Sequence, residues 1–386
     1  MPLRPTRCLT AVALLLMLSA CHGGRYFLYN VPDLRDYRKF AARPIARGNA
    51  APFRFNDAVG RRHLRLPPHL RRPGLDRFLR RTGTVAFLVI RHDTLFIERY
   101  YHGYADSSVV PSFSVAKGVV AALVGIAVAE GYIRSVHDPI ARYVPELDSA
   151  RLGAVSIEHL LNMRSGVAFR EDYWNPLGDV ARYYYGRRLT RYVRRLRAAE
   201  APDQRLAYQS ANTQLLGMLV ARATGRPLAH YAQEKLWRPL GMEYDASWSL
   251  DRPDGTEKAF CCLNARARDF AKIGRLYRRR GEWQGRQIVP REWVEESTVD
   301  SAERARNAYR DSYHWRHRVD YRPPLAGETP SDKRGMPVPI PDFFAEGILG
   351  QFVYVYPAKD IIIVRLGRRA GRTPWARLFQ QLAKLN

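Results

Sequence analysis

Cysteine is scarce in this 386-residue chain, with four in all, and so is lysine: of 63 basic residues eight are Lys and 55 are Arg. Two of the cysteines, Cys8 and Cys21, lie near the start, and the other two, Cys261 and Cys262, are adjacent. Adjacent cysteines rarely bridge, because their side chains diverge in most backbone conformations, so the sequence predicts a fold held by its core rather than by a disulfide framework. No Cys/His spacing has the pattern of a zinc site, and no metal or organic cofactor is implied. Long apolar runs are also lacking. The clearest, Cys8 to Ala20, has 13 residues, short of the ~20 that a membrane-spanning helix needs. Gly (27) and Pro (25) are too few for a collagen-like or low-complexity chain. No internal repeat is visible. With 46% hydrophobic and 26% charged residues, the chain can bury a sizeable core.

Acidic residues are under-represented: 37 against 63 basic ones, a formal net charge of +26. The arginines are spread along the whole chain, with local density at Arg182, Arg187, Arg188, Arg191, Arg194, Arg195 and Arg197. A nucleic-acid module concentrates its charge on one element. The scatter here fits a solvated basic surface with some attraction for anionic membranes, and no nucleic-acid partner is expected. The N-terminus points the same way. Arg4 and Arg7 precede the apolar run, which ends in Leu18-Ser19-Ala20-Cys21. That ending resembles the lipobox of bacterial lipoproteins, which implies cleavage before Cys21 and lipid on the new terminus. An ordinary signal peptide with Cys21 incidental is the alternative, and both readings imply export. His22 stands where an Asp would favour inner-membrane retention, so an outer-membrane or periplasmic-face location is expected. Residues 1–20 read as the leader, 21–75 as a lipidated tether and N-terminal cover, and 76–386 as the main domain.

Within the main domain the periodicity predicts strands at Thr84–Arg91 and Thr94–Tyr101, then a buried helix from Val115 to Ala129 stopped by Gly131. An N-capped helix starts at Ser156, and its segment ends at Gly166. Asn212–Thr224 and Ala265–Arg280 are helical by apolar spacing. Tyr321 to Asp342 carries six prolines and reads as a surface loop. Strands follow at Gln351–Tyr356 and Ile361–Leu366, and a last helix at about Pro374–Lys384. Strands at both ends with helices between them predict an α/β (α+β) fold. An antiparallel sheet built from both termini is flanked by helices and carries an inserted helical lobe at about 138–340.

The sharpest local feature is Ser114-Val115-Ala116-Lys117. It is the only Ser-x-x-Lys in the chain. A spacing of three on a helix puts both side chains on one face, and Ser114 sits near the unpaired N–H groups of the helix start. Lys117 is the only ionisable residue between Ser114 and Glu130. Burial disfavours an ammonium and frees an amine to act as base, whereas Arg does not deprotonate in proteins. In a chain so rich in Arg, a Lys at this position is informative. The bland alternative is a Ser N-cap followed by a Lys that reaches solvent.

The order of motifs decides between them. With Ser114-x-x-Lys117, the stretch Ser156–Gly166, Tyr208-Gln209-Ser210-Ala211-Asn212, Leu263–Asp269 and Gly347-Ile348-Leu349-Gly350-Gln351, the chain resembles the serine β-lactamase and penicillin-binding-protein superfamily. It is most similar to the class C-type branch of esterases, D-amino-acid peptidases and nylon-oligomer hydrolases, over about residues 76 to 386. The resemblance implies a nucleophile at Ser114, a base at Lys117 and a proton carrier at Tyr208 held near two cations. It places the oxyanion hole at the backbone N–H groups of Ser114 and of Gln351, the residue after Gly350.

Two departures bear on the substrate. Ser210 stands where the family's second motif has Asn, so the amide-recognition role passes to Ser210 or Asn212, or is lost. Ile348 stands where lactamases and transpeptidases carry a cation that pairs with the substrate carboxylate. That replacement argues against β-lactams and D-Ala-terminated stems. Arg266 and the arginines of 182–197 are candidates to restore the cation. The expected activity is an exported, membrane-anchored serine hydrolase acting on a small ester or amide. The rivals are a D,D-peptidase or β-lactamase, or a non-catalytic relative that binds cell-wall peptide.

Overall fold

The structure is a computed structural model that describes residues 22–29, 31–60, 65–71, 74–298, 310–322 and 336–386. The expected leader and Cys21 lie outside these, as does the middle of the proline-rich stretch, 323–335. In chain order the strands are β1 (Ala42–Ile45), β2 (Asn56–Asp57), β3 (Thr84–Arg91), β4 (Thr94–Tyr100), β5 (Val110–Pro111), β6 (Ala246–Ser249), β7 (Leu263–Ala265), β8 (Glu282–Trp283), β9 (Arg286–Gln287), β10 (Arg310–Ser312), β11 (Trp315–Arg322), β12 (Met336–Gly347), β13 (Gln351–Tyr356) and β14 (Ile361–Gly367). The principal helices are α1 (Ala116–Ala129), α2 (Ser210–Thr224), α3 (Ala267–Arg278) and α4 (Trp375–Leu385).

An eight-stranded sheet runs in the order β10-β11-β12-β13-β14-β3-β4-β2. The strands from the two ends of the domain meet in its centre, where Ile363 of β14 faces Val89 of β3. All pairs are antiparallel except β2 with β4. β3 is buried on both faces, as a central strand covered on two sides must be. Leu88, Ile90, Val353 and Val364 pack toward the helical insertion. Their neighbours Phe87, Val89, Tyr354 and Ile363 pack against Leu378 and Phe379 of α4 and against Leu79. The two-residue alternation of a strand thus divides the apolar residues between two cores.

A second, four-stranded sheet, β1-β6-β7-β5, lies beside the insertion. It shortens the expected helix at 265–280, because Ala265 is the last residue of β7 and α3 begins at Ala267. Within the segment read as a tether and N-terminal cover, β1 pairs with β6 along its length. The proline-rich stretch is only partly loop: β11 extends to Arg322, and β12 begins at Met336 and runs through Asp342. Pro337, Pro339 and Pro341 alternate, so their missing N–H groups share one side of the strand. β12 pairs with β13 only from Phe343 onward, and an edge of this kind accommodates prolines.

One expectation is overturned outright. Cys261 and Cys262 form a disulfide, with their Cα atoms 3.7 Å apart. Cys262 has φ +74°, a left-handed turn that brings together two side chains that would diverge in ordinary backbone. Among the described residues no helix is long and apolar enough to cross a membrane.

Candidate active site

α1 is apolar on all sides and buried from Ala116 to Ala127, as a helix through the middle of a core must be. The chain enters it through a tight turn, Phe113–Val115, that holds Phe113 at φ +44°. A bulky residue in left-handed backbone is costly and persists only where the surroundings hold it there. Those surroundings include Gly347 at the end of β12. A Cβ on Gly347 would lie 2.7 Å from the Ser112 carbonyl oxygen and 3.0 Å from the Ser114 nitrogen. Only a glycine lets the strand come this close to the backbone of Ser114.

Lys117 is 2% exposed. Its Nζ lies 3.0 Å from Ser114 Oγ, 3.3 Å from Ser210 Oγ and 2.7 Å from the Phe260 carbonyl oxygen. The Phe260 carbonyl immediately precedes the Cys261–Cys262 turn, so that turn positions one of the three partners. Tyr208 presents its ring between two cations. Lys117 Nζ is 5.1 Å from the ring centroid and the Arg316 guanidinium carbon 5.3 Å from it. The structure therefore brings Ser114, Lys117, Ser210 and Tyr208 together. Asn212 is fully buried elsewhere: its Oδ1 accepts from Ser165 Oγ at 2.7 Å, and its Nδ2 faces Met163 Sδ at 3.4 Å. Of the two residues offered for the amide-recognition role, Ser210 is at the site, and Asn212 ties the start of α2 to Met163 and Ser165, 49 and 47 positions upstream.

The third motif forms a turn with Leu349 at φ +63° and Gly350 at φ +81°. A Cβ on Gly350 would meet Arg365 Nη1 at 2.1 Å. Arg365 is fully buried and donates to the Gly350 carbonyl at 2.5 Å, to Thr82 and Arg369 carbonyls and to Thr84 Oγ1. The side chain of Gln351 is committed to Gly367, donating to its carbonyl and accepting from its N–H. What Gln351 can present to a substrate is backbone. Ile348 lines the pocket over Ser114 with Tyr26, Phe113, Tyr173, Val180 and Cys261.

Glu171, Tyr173, Arg316 and His314 carry no signal in the sequence. Glu171 accepts from Ser210 Oγ at 2.6 Å and from the Ser210 N–H at 2.7 Å. It also accepts from the Tyr173 hydroxyl at 2.6 Å. Burial, and after it the Glu171 and Tyr208 charges, push the Tyr173 phenol up, so Tyr173 stays a donor. Arg316, on β11, lies over the Tyr208 ring and is ion-paired with Glu346. Of the expected candidates, Arg266 instead stacks on the Tyr244 ring at 3.5 Å, and Arg187, Arg188, Arg191 and Arg195 line a groove with His22 and Asp179 rather than the Ser114 pocket. His314 faces Thr213 Oγ1 at 3.2 Å and is pushed down to about 3, first by burial and then by the charge on Lys117.

Residues 75–385 match the family described as Beta-lactamase. The chain belongs to that family. Among the relatives of this β-lactamase-family protein is a 6-aminohexanoate-dimer hydrolase from Paenarthrobacter ureafaciens, 30% identical over 236 residues that make up 58% of this chain and 59% of that protein. A D-aminopeptidase from Brucella anthropi is 27% identical over 192 residues, 46% of this chain and 33% of the relative. The chain thus spans less than two thirds of these curated relatives. Among solved structures, a proposed 6-aminohexanoate-dimer hydrolase from Bacillus anthracis superposes with a TM-score of 0.70 at 22% identity, covering 89% of this chain and 90% of that one. A class C β-lactamase in complex with cefoxitin gives 0.56 at 16% identity, covering 82% and 96%. At these identities the likeness is one of fold.

Proposed function

We propose that this β-lactamase-family protein is an exported serine hydrolase that cleaves a small, uncharged ester or amide through an acyl-Ser114 intermediate. The observation that carries the proposal is the buried Lys117 amine 3.0 Å from Ser114 Oγ at the start of α1. To act as the base, Lys117 must first lose a proton, which leaves an amine with two N–H groups and one lone pair. The Phe260 carbonyl and Ser210 Oγ take the N–H groups, and the lone pair is left for the Ser114 proton. Ser210 gives its own proton to Glu171, so its oxygen is free to accept from Lys117. Ser114 Oγ then attacks the carbonyl carbon as its proton passes to Lys117, and backbone N–H groups at Ser114 and Gln351 receive the developing oxyanion. Tyr208, beside Lys117, passes the proton to the leaving group. In the second half-reaction it takes one from the water that releases the acyl group.

The apolar Ile348 in the pocket supports an uncharged substrate. The names of two relatives, 6-aminohexanoate-dimer hydrolase and D-aminopeptidase, support the amide side of the reading. The rival within enzymes is a D,D-peptidase or β-lactamase, for which Arg316 would have to leave Glu346 and take a substrate carboxylate. Lipid attachment at Cys21, a leader of residues 1–20, a catalytic domain of 76–386 and a location on the cell envelope belong to the same proposal.

The test is covalent labelling with a fluorophosphonate followed by intact-mass measurement. One adduct on the peptide holding Ser114 is expected, absent in Ser114→Ala and nearly absent in Lys117→Arg, which keeps the charge but not the base. Full labelling of Lys117→Arg would remove Lys117 from the mechanism. An unlabelled wild type would favour a cell-wall-binding relative without catalysis.

A further inference from the structure

Of the seven large apolar side chains exposed among the described residues, five are Phe27, Leu28, Val31, Trp174 and Leu177. Phe27 is 73% exposed and Trp174 80%. The helix that carries Phe27 and Leu28 adjoins the loop that carries Trp174 and Leu177. Gly23, in the helix His22–Tyr29, packs on the loop at 174–177, where a Cβ would lie 3.0 Å from Leu177 Cδ2. His22 starts that helix and lines a groove shared with Arg187, Arg188, Arg191 and Arg195. The four arginines are exposed, and among the described residues none of them makes an ion pair. Asp179, the acid in the groove, is engaged by Arg182 at 3.2 Å and by the Arg170 N–H at 3.0 Å. A groove whose four exposed arginines make no ion pair among the described residues thus adjoins, through His22, the helix that carries the exposed Phe27 and Leu28.

We propose that this face docks on an anionic phospholipid surface, with the arginines on the headgroup phosphates and Phe27, Leu28, Trp174 and Leu177 in the interface. Neither half alone would single out a membrane. A polynucleotide would satisfy the arginines but has no use for exposed Phe27, Leu28 and Val31. A protein partner would take the apolar rim but needs an acidic complement. A bilayer of anionic lipid satisfies both at once, because aromatic and aliphatic side chains partition to the level at which phosphates meet basic residues. Docking does not depend on lipid at Cys21. On the catalytic reading above, it also has a consequence for substrate access. Tyr26 and Tyr173 line the Ser114 pocket and directly precede Phe27 and Trp174 in the chain, so the pocket mouth borders the docked face.

The experiment is co-sedimentation of the full chain with vesicles of phosphatidylcholine alone and of phosphatidylcholine mixed with phosphatidylglycerol. The apolar N-terminal run contributes to both, so the difference between the two reports the arginines. Each basic residue at such a surface adds about 1 kcal/mol, so Arg187→Glu/Arg188→Glu/Arg191→Glu should lose on the order of 100-fold of the phosphatidylglycerol-dependent binding. Phe27→Ser/Trp174→Ser should weaken binding to both vesicles. Three exposed arginines on the opposite layer of helices, in Arg71→Glu/Arg77→Glu/Arg377→Glu, form the control and should retain the difference. Hydrolysis of soluble p-nitrophenyl butyrate within twofold of wild type in every variant separates docking from catalysis. Equal binding of the wild type to both vesicles, or an equal loss in the control, would overturn the proposal. So would a lipid-free dimer in sedimentation velocity that Phe27→Ser/Trp174→Ser dissolves, since the face would then belong to a second copy.

Discussion

Replacing Glu171 by Gln tests the proton arrangement around Lys117 without altering shape. In the wild type the carboxylate accepts from three donors: Ser210 Oγ, the Ser210 N–H and the Tyr173 hydroxyl. A carboxamide offers one accepting oxygen and presents its own N–H groups to the other donors. Either the Ser210 N–H loses its partner, or the Ser210 hydroxyl turns away and donates to Lys117 Nζ, 3.3 Å distant. In the second case Ser210 competes with Ser114 for the lone pair of the base. Leaving one buried donor unpaired costs about 1–3 kcal/mol, which corresponds to roughly 5- to 150-fold. The loss should fall on kcat with KM little changed, because the competing hydrogen bond affects proton transfer rather than binding. The assay is kcat and KM for p-nitrophenyl butyrate across pH. Thermal unfolding run alongside should lose about 1–2 °C for each kcal/mol in a chain of this size. Activity within twofold of wild type at every pH, with unfolding unchanged, would show that the Glu171–Ser210 contact does not order the base.

Other outcomes follow from the same geometry. Ile348→Lys should raise kcat/KM for nitrocefin relative to a butyryl ester, and a wild type that already prefers nitrocefin would point to Arg316 as the carboxylate partner. His314 titrates near 3 when folded and near 6.5 when unfolded, so between those values the unfolded chain binds the extra proton. Stability should therefore be whole above about pH 6.5 and decline toward pH 3, by up to about 1.4 kcal/mol per pH unit. His314→Gln keeps a partner for Thr213 and should flatten that decline in urea titrations, and an unchanged slope would remove His314 as its source. Cys21→Ser should stall processing or release the protein from membranes, and a variant that is processed and retained normally would exclude the lipid anchor.

The central strands, α1 and the order of the motifs are legible in the sequence because each rests on local periodicity or on residues a few positions apart. Ser114 and Lys117 meet because three residues on a helix share a face. The chain's shortage of lysine was a weaker clue than that spacing, since Lys258 and Lys272 are also fully buried with no serine nucleophile beside them. Glu171 escapes any sequence pattern, because it reaches Ser210 across 39 positions by way of an irregular loop. Arg316 is one arginine among 55, and only the pairing of β11 with β12 brings it beside Tyr208 and Glu346. The Cys261–Cys262 bridge depends on one left-handed residue, which composition does not reveal. Local chemistry is written in neighbours along the chain. The partners that orient its protons come from segments 39 to 143 residues apart that meet only when the apolar faces of the sheet are buried.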